Sequence, residues 1–382
     1  MLSAFEKKIL SRLLLFLFAA LMLYTVVIRT ASYGMNSLPR VPGVSFRIVG
    51  ENLGGDYALL HLLENRGAET AYDTAEQTRH MADTAGTKGR FFSFAAPSLP
   101  LMLVPLMPLS YEDVFSTWLM WGIFLFSAAL YTLFPLRRTL FLLFAMPAVL
   151  FAVSDGGWGL YLAALFIFAL RFGRTHPVFA GLTAGLTAAS PVAFTVLTVA
   201  QFGKKRFKAA LIALCFGGFI LVGAGLRYGF SSYAEAFWAA TNALQSIPCV
   251  FASAAAAFLC AGFSLPVAAA AQIAVSAAAL YFGIRLFRRP LCPPSVLNAY
   301  VCAGTTVFVP VWGLGNFGLM YAAVAFLLFD SERRGFLRED LFWIVLAFVT
   351  PFLETFAFAY TGVPLCLAVS CGLLRVCWKR SL

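Results

Sequence analysis

The chain has 382 residues, of which 61% are hydrophobic and 12% charged, with a formal net charge of +11. A soluble domain carries about twice that charged fraction, which argues against an ordinary globular enzyme. The basic surplus sits in short clusters between apolar runs and is not spread over a surface, so it argues against a nucleic-acid partner and reads as a topology signal.

The first apolar run, Ile9 to Ile28, follows Glu6-Lys7-Lys8. It is too long for a signal peptide and no clean small-residue cleavage site follows it, so it predicts a retained first helix that starts in the cytoplasm. Residues 31–93 then form the one large extramembrane loop. Within it, Gly54-Gly55-Asp56 leads into Tyr57–Arg66, a short helix ended by Gly67. On a helical wheel, Leu60 and Leu63 fall within about 40° of Asp56, with His61, Glu64 and Asn65 opposite. This predicts an amphipathic helix lying on the membrane surface. Asp56 is either its N-cap or a functional acid on an apolar face, and both can hold. Asp73, Glu76 and Asp83 read as solvated acids or caps, and His61 and His80 as weak ligand candidates.

Further along, residues 94–109 and 113–134 are two apolar runs where the charge pattern wants one net crossing. Residues 177–201 must start and end on one side and are interrupted at Ser190-Pro191; half-membrane hairpins satisfy both places. Ala254–Ala257 is a close helix-packing surface. Twenty of the 28 basic residues fall in seven clusters: Lys7-Lys8-Arg12, Arg137-Arg138, Arg171/Arg174, Lys204–Lys208, Arg285–Arg289, Arg333–Arg338 and Arg375–Arg380. Placing these inside puts both termini in the cytoplasm. It puts residues 31–93, the Ser154–Gly157 turn, residues 227–248, the Trp312–Asn316 turn and a turn near Tyr360 outside. The expected architecture is an all-α polytopic membrane protein of the cell (inner or plasma) membrane, one integral domain over 1–382 with about 10–13 transmembrane or half-membrane helices. The eight cysteines are scattered without a CxxC pair, which favours apolar packing roles over disulfides or zinc.

Several short motifs recur in a particular order: Gly55-Asp56, Gly67, Tyr72-Asp73, Phe92-Ser93-Phe94-Ala95-Ala96-Pro97 and Leu103-Val104-Pro105-Leu106. Later come Asp155-Gly156-Gly157-Trp158, Ala180-Gly181-Leu182, a helix broken at Pro191, Lys204-Lys205-Arg206-Phe207, Asn242-x-x-Gln245-Ser246 and Trp312. This order resembles the DUF2029 family of polytopic glycosyltransferases, glycosyltransferase family 87, which has the GT-C fold. The family often has Gly-Gln-x-Asn where this chain has Gly156-Gly157-Trp158-Gly159, and Lys-Pro where it has Ser190-Pro191.

The resemblance implies transfer of a hexose, often mannose, from a polyprenyl-phosphate donor to a glycan or glycolipid acceptor on the outer face, with Asp56 as the catalytic base. Membrane lipids and the lipid-linked sugar are the expected partners. No cofactor beyond that donor and no metal ligand is expected, with divalent-metal need left open. The leaving lipid phosphate is a stable anion, so one carboxylate suffices, unlike the pair of a glycosidase. The phosphate needs cationic partners: Arg79, Lys88, Arg90 and Arg227 are on the outer side, with Arg90 bordering the next helix. The substrate- and phosphate-binding candidates are Arg90, Arg227, Asp73, Trp312 and Asn316. Trp238, Trp312 and Tyr233 fit either sugar stacking or the interfacial aromatic belt. Two other readings stand beside this one: a lipid or sugar transporter or flippase, for which Glu354 is the clearest intramembrane acid, and an inactive scaffold of the same family.

Overall fold

Prolines and hydroxyl side chains set where helices begin. Pro177, Pro191, Pro266 and Pro294 occupy the first or second position of their helices, where a missing N–H costs nothing. Ser110 accepts the Asp113 N–H at 3.3 Å and caps another. The structure, a computed structural model, describes residues 51–85, 92–146, 156–248, 251, 253–309, 318–361 and 365–381. The first helix expected at Ile9–Ile28, the turn holding Trp312 and Asn316, and Asp155, Lys88 and Arg90 lie outside these.

Among the described residues the chain is helical throughout, with no strand. The helices are α1 Glu51–Arg66, α2 Ala68–Ala71, α3 Thr74–Ala85, α4 Ser98–Leu103, α5 Tyr111–Tyr131, α6 Leu136–Ala145, α7 Gly159–Phe172, α8 Pro177–Leu186, α9 Pro191–Gly203, α10 Phe207–Tyr228, α11 Ser231–Ser246, α12 Ala254–Cys260, α13 Leu265–Phe287, α14 Pro294–Phe308, α15 Gly318–Arg334, α16 Arg338–Thr361 and α17 Leu365–Arg380. Among the described residues three of them, α5 (from Asp113), α10 and α13, are long and apolar enough to cross a membrane. Each shows large bare apolar side chains: Met120, Trp121 and Phe124; Phe219 and Leu226; Ile273 and Leu280. In water such bands are costly, whereas lipid accepts them.

The two irregular apolar regions are resolved as short pieces. Residues 94–109 become the six-residue α4 and a 3-10 turn, Val104–Leu106. Residues 177–201 become α8, a 3-10 turn at Thr187–Ala189 and α9, broken at Ser190 ahead of Pro191. At 1.5 Å per residue α8 and α9 reach about 15 and 20 Å, less than the ~30 Å hydrocarbon core. The two broken regions meet: Ser98 Oγ donates to the Ala188 carbonyl at 2.7 Å.

At the centre, α7 and α15 are buried almost all round. A Cβ at Gly318 would overlap the Gly159 carbonyl, so the two helices touch backbone to backbone at their first turns. Gly181 likewise lies against Ala209 and Ile212 of α10, and small residues admit such approaches. The Ala-rich α12 is buried over Ala254–Ala256.

The helix ends sort into two sets. At one end Tyr111 of α5 and Arg227 of α10 meet α1, and α13 begins shortly after Cys260. Cys260 is disulfide-bonded, which corrects the expectation against disulfides; its partner lies outside the described residues. At the other end the basic clusters gather, and some of their members pair with carboxylates. Arg138 pairs with Glu332, and Lys379 with Glu339. Arg380, 4% exposed in its side chain, bridges Asp330 and Asp340.

Candidate functional site

The helix of the first loop is packed into the protein over most of its length. α1 starts at Glu51, five residues before Asp56, and every residue from Leu53 to Leu60 is buried. Amphipathic character is confined to its last two turns, where Glu64 is half-buried and Asn65 and Arg66 are exposed. Asp56 is therefore an interior helical residue and not an N-cap. Leu59, Leu62 and Leu63 pack with Ala71, Tyr72 and Ala236, while Leu53, Tyr57 and Leu60 pack with Met81, Leu99 and Leu103. The helix is covered on both sides by α2, α3, α4 and α11.

Asp56 is 7% exposed. Ser93 Oγ donates to its Oδ1 at 2.5 Å; among the described residues this is its one partner, and Oδ2 remains for an incoming hydroxyl. Burial raises the carboxyl pKa from 3.8 to about 7, against a smaller lowering by the Ser93 hydrogen bond. Loss of hydration penalises the charged form more than one hydroxyl restores it.

Ser93 is itself pinned. The Gln77 side chain, fully buried, accepts the Ser93 N–H at 2.6 Å and donates to the Ser93 carbonyl at 3.0 Å and the Ala71 carbonyl at 2.7 Å. Ser93 Oγ also accepts the Ala95 N–H at 3.1 Å, and Tyr72 donates to the Ala95 carbonyl at 2.8 Å. Gly55 allows the segment 92–96 to lie this close: a Cβ there would stand 2.5 Å from the Phe92 carbonyl oxygen. Gly67, at φ 84°, ends α1 in a conformation that L side chains rarely adopt and turns the chain into α2.

The Gly156 turn also closes on α1. A Cβ at Gly156 would stand 2.7 Å from Cβ of Leu53, one turn before Asp56. Trp118 donates to the Gly156 carbonyl at 2.9 Å and stacks on Tyr161 at 4.1 Å. Trp158 crosses Trp118 edge-on at 4.8 Å, and its Nε1 is buried without a hydrogen-bond partner. The Gly55-Asp56, Tyr72 and Phe92–Ala95 motifs thus meet near the Asp56 carboxyl, and the Gly156-Gly157-Trp158 turn, a hundred residues on, meets the same helix at Leu53.

The other candidates stand apart from this centre. Asp73 is exposed and accepts the Ala75 N–H at 2.8 Å, capping α3. Arg227 donates to Glu64 Oε1 at 2.6 Å, which also accepts from Tyr228 at 2.9 Å; the Arg227 hydrogen bond holds the Glu64 carboxyl below its usual range. Arg66 and Arg79 share Glu76. Every described cation at this end therefore has a carboxylate partner already. Trp238 is exposed on α11, and Tyr233 spends its hydroxyl on the Leu221 carbonyl at 2.7 Å.

His61 and His80 stack with ring centroids 5.4 Å apart, both pushed below 6.5 chiefly by burial, and His61 Nε2 is buried without a partner. Among the described residues no group of three or more His, Cys, Asp or Glu is placed to hold a metal. Sequence reasoning missed Gln77, whose only signal is its place one helical turn after Asp73, and it read Ser93 merely as part of a motif.

No family model, curated protein or solved structure matches the chain.

Proposed function

We propose that this chain is a GT-C-type membrane glycosyltransferase. It moves a hexose from a polyprenyl-phosphate donor to a glycan or glycolipid acceptor on the outer face, with Asp56 as the single base. The supporting observation is the buried, interior-helix carboxyl with a pKa near neutrality, oriented through one oxygen by Ser93. A base is most effective when its pKa lies near the working pH. Asp56 takes the acceptor hydroxyl proton on Oδ2 as that oxygen attacks the anomeric carbon from the face opposite the donor phosphate. The bond from that carbon to the phosphate oxygen breaks, and the polyprenyl phosphate leaves with the electron pair as a stable anion. The anomeric configuration inverts.

The short helices α4, α8 and α9 fit the role of a lateral entrance, because irregular backbone at membrane depth is tolerated where it lines a protein cavity. The disulfide at Cys260 belongs to the helix ends nearest Asp56, and disulfides persist on the oxidising side of a membrane. That supports an outer location for the site and a cytoplasmic one for the basic end and both termini. The cationic partner of the donor phosphate is assigned to Arg90, in the segment leading to Ser93, because Arg227 is held by Glu64.

The test is Asp56→Asn in the full-length chain, assayed with polyprenyl-phosphate-linked hexose in vesicles. The amide preserves shape and accepts from Ser93 but takes no proton, so transfer should fall at least a hundredfold with unchanged membrane insertion. Near-normal transfer would remove Asp56 from the chemistry.

A further inference from the structure

Several cationic side chains at the basic end are held by polar partners. Arg138, Arg334, Lys379 and Arg380 each have a carboxylate partner, and Arg206 donates to the Leu170 carbonyl at 2.8 Å. Like Arg171, Arg174 and Lys205, the arginines Arg285, Arg288 and Arg289 have no carboxylate partner among the described residues, but these three are gathered at one site. They lie at the C-terminal end of α13, and with Tyr281, Phe282 and Trp378 of α17 they line an open cleft of about 380 Å³.

Aromatic rings hold two of the three arginines in place. The Arg289 guanidinium sits 3.9 Å from the centre of the Trp378 ring and donates to Ser381 Oγ. Arg285 lies 5.3 Å from the centre of the Tyr281 ring and donates to its hydroxyl at 3.2 Å. Phe282 meets Trp378 edge-on at 5.2 Å. Spacings of four, seven and eight residues from Tyr281 put all three arginines on one helical face. Orientation by rings leaves guanidinium donors free to fork onto an anion.

What lies beside the cleft selects the anion. α13 is one of the three helices able to cross a membrane, and Leu280, Tyr281, Phe282 and Ile284 present bare apolar surface within two turns of the arginines. A soluble phosphate has no use for that surface, whereas a phospholipid places a phosphodiester beside acyl chains at this depth. We propose that the cleft between the ends of α13 and α17 binds the headgroup phosphate of an anionic phospholipid. Arg285 and Arg288 are its ligands, and Trp378 and Phe282 flank the glycerol. This is independent of the transfer chemistry at Asp56.

The experiment uses the full-length chain purified from vesicles of equal phosphatidylglycerol and phosphatidylcholine, with retained lipids counted by native mass spectrometry. The wild type should keep phosphatidylglycerol preferentially, and millimolar inorganic phosphate should not displace it. Arg285→Gln/Arg288→Gln should lower retention on the order of 30-fold, the worth of two basic residues at an anionic surface. If the double variant does not fold, Arg288→Gln alone carries the test, because Arg288 is exposed, with an expected loss of about fivefold. Equal retention of the two lipids, equal retention by wild type and variant, or displacement by inorganic phosphate would each overturn the proposal.

Discussion

The Asp56 carboxyl makes a quantitative demand on stability. Its folded-state pKa of about 7 lies above the unfolded value of 3.8. Between those values the folded chain binds one more proton than the unfolded chain. Stability therefore falls as pH rises, by about 1.4 kcal/mol per pH unit, and levels off above about 7. From pH 5 to pH 8 the wild type should lose about 3 kcal/mol that Asp56→Asn does not lose, since an amide does not titrate. The Asn amide nitrogen gains no acceptor, which adds a pH-independent penalty on the order of 1–3 kcal/mol; the intercept is thus unimportant and the slope decides. The histidines act with opposite sign, because His61 and His80 are pushed below 6.5 and cost stability as pH falls through that range. Subtracting the variant's curve from the wild type's cancels them. The assay is denaturant unfolding in detergent followed by circular dichroism at several pH values. A difference curve flat from pH 5 to 8 would mean that Asp56 is hydrated and ionised, and the case for a buried base would collapse.

Three further outcomes are expected. Ser93→Ala removes the one hydrogen bond that favours the Asp56 carboxylate, so the acidic limb of the transfer pH profile should move up by about one pH unit; an unmoved limb would mean Ser93 does not act on the base. Arg380→Met leaves Asp340 buried without its cation and Asp330 with Arg334 alone, and should cost about 3–5 kcal/mol, read as a lowered unfolding midpoint with the bilayer composition held fixed. A cysteine at exposed Asp83, in a background without Cys215 and Cys371, should react with an impermeant maleimide on intact cells; reaction only after permeabilisation would reverse the topology.

The helices were legible because their signals are local. Apolar length predicts α5, the switch between inner and outer segments predicts crossings at α10 and α13, Ser190-Pro191 the break between α8 and α9, and Gly67 the end of α1. The start of α1 was missed because Gly54-Gly55 looks like a helix breaker, whereas Gly55 is glycine to admit the Phe92 carbonyl. That reason lies 37 residues away and leaves no trace in a local window. The Asp56 cap reading failed with it. Gln77 escaped for a related cause: its three hydrogen bonds go to backbone groups of Ala71 and Ser93, and no pattern of residue types marks a side chain that serves main chain. The Arg227–Glu64 pair, 163 residues apart in sequence, is invisible for the same reason.

Several of the short motifs act together in the structure, and for a physical reason. Each motif supplies a single geometric permission: Gly55 a close approach, Gly67 a turn, Tyr72 and Gln77 a fixed backbone, the Gly156 turn a contact with Leu53. None of these is chemistry, and each alone has many structural uses. Together they bury one carboxyl in the apolar middle of α1 and keep one of its oxygens bonded. Burying a carboxyl carries a cost that packing alone does not repay, and Asn or Leu would fill the position more cheaply. The surrounding shell holds Asp56 in the state that a neutral-pH base requires, and this is why it, more than the exposed Asp73 or the paired Glu64, carries the functional assignment.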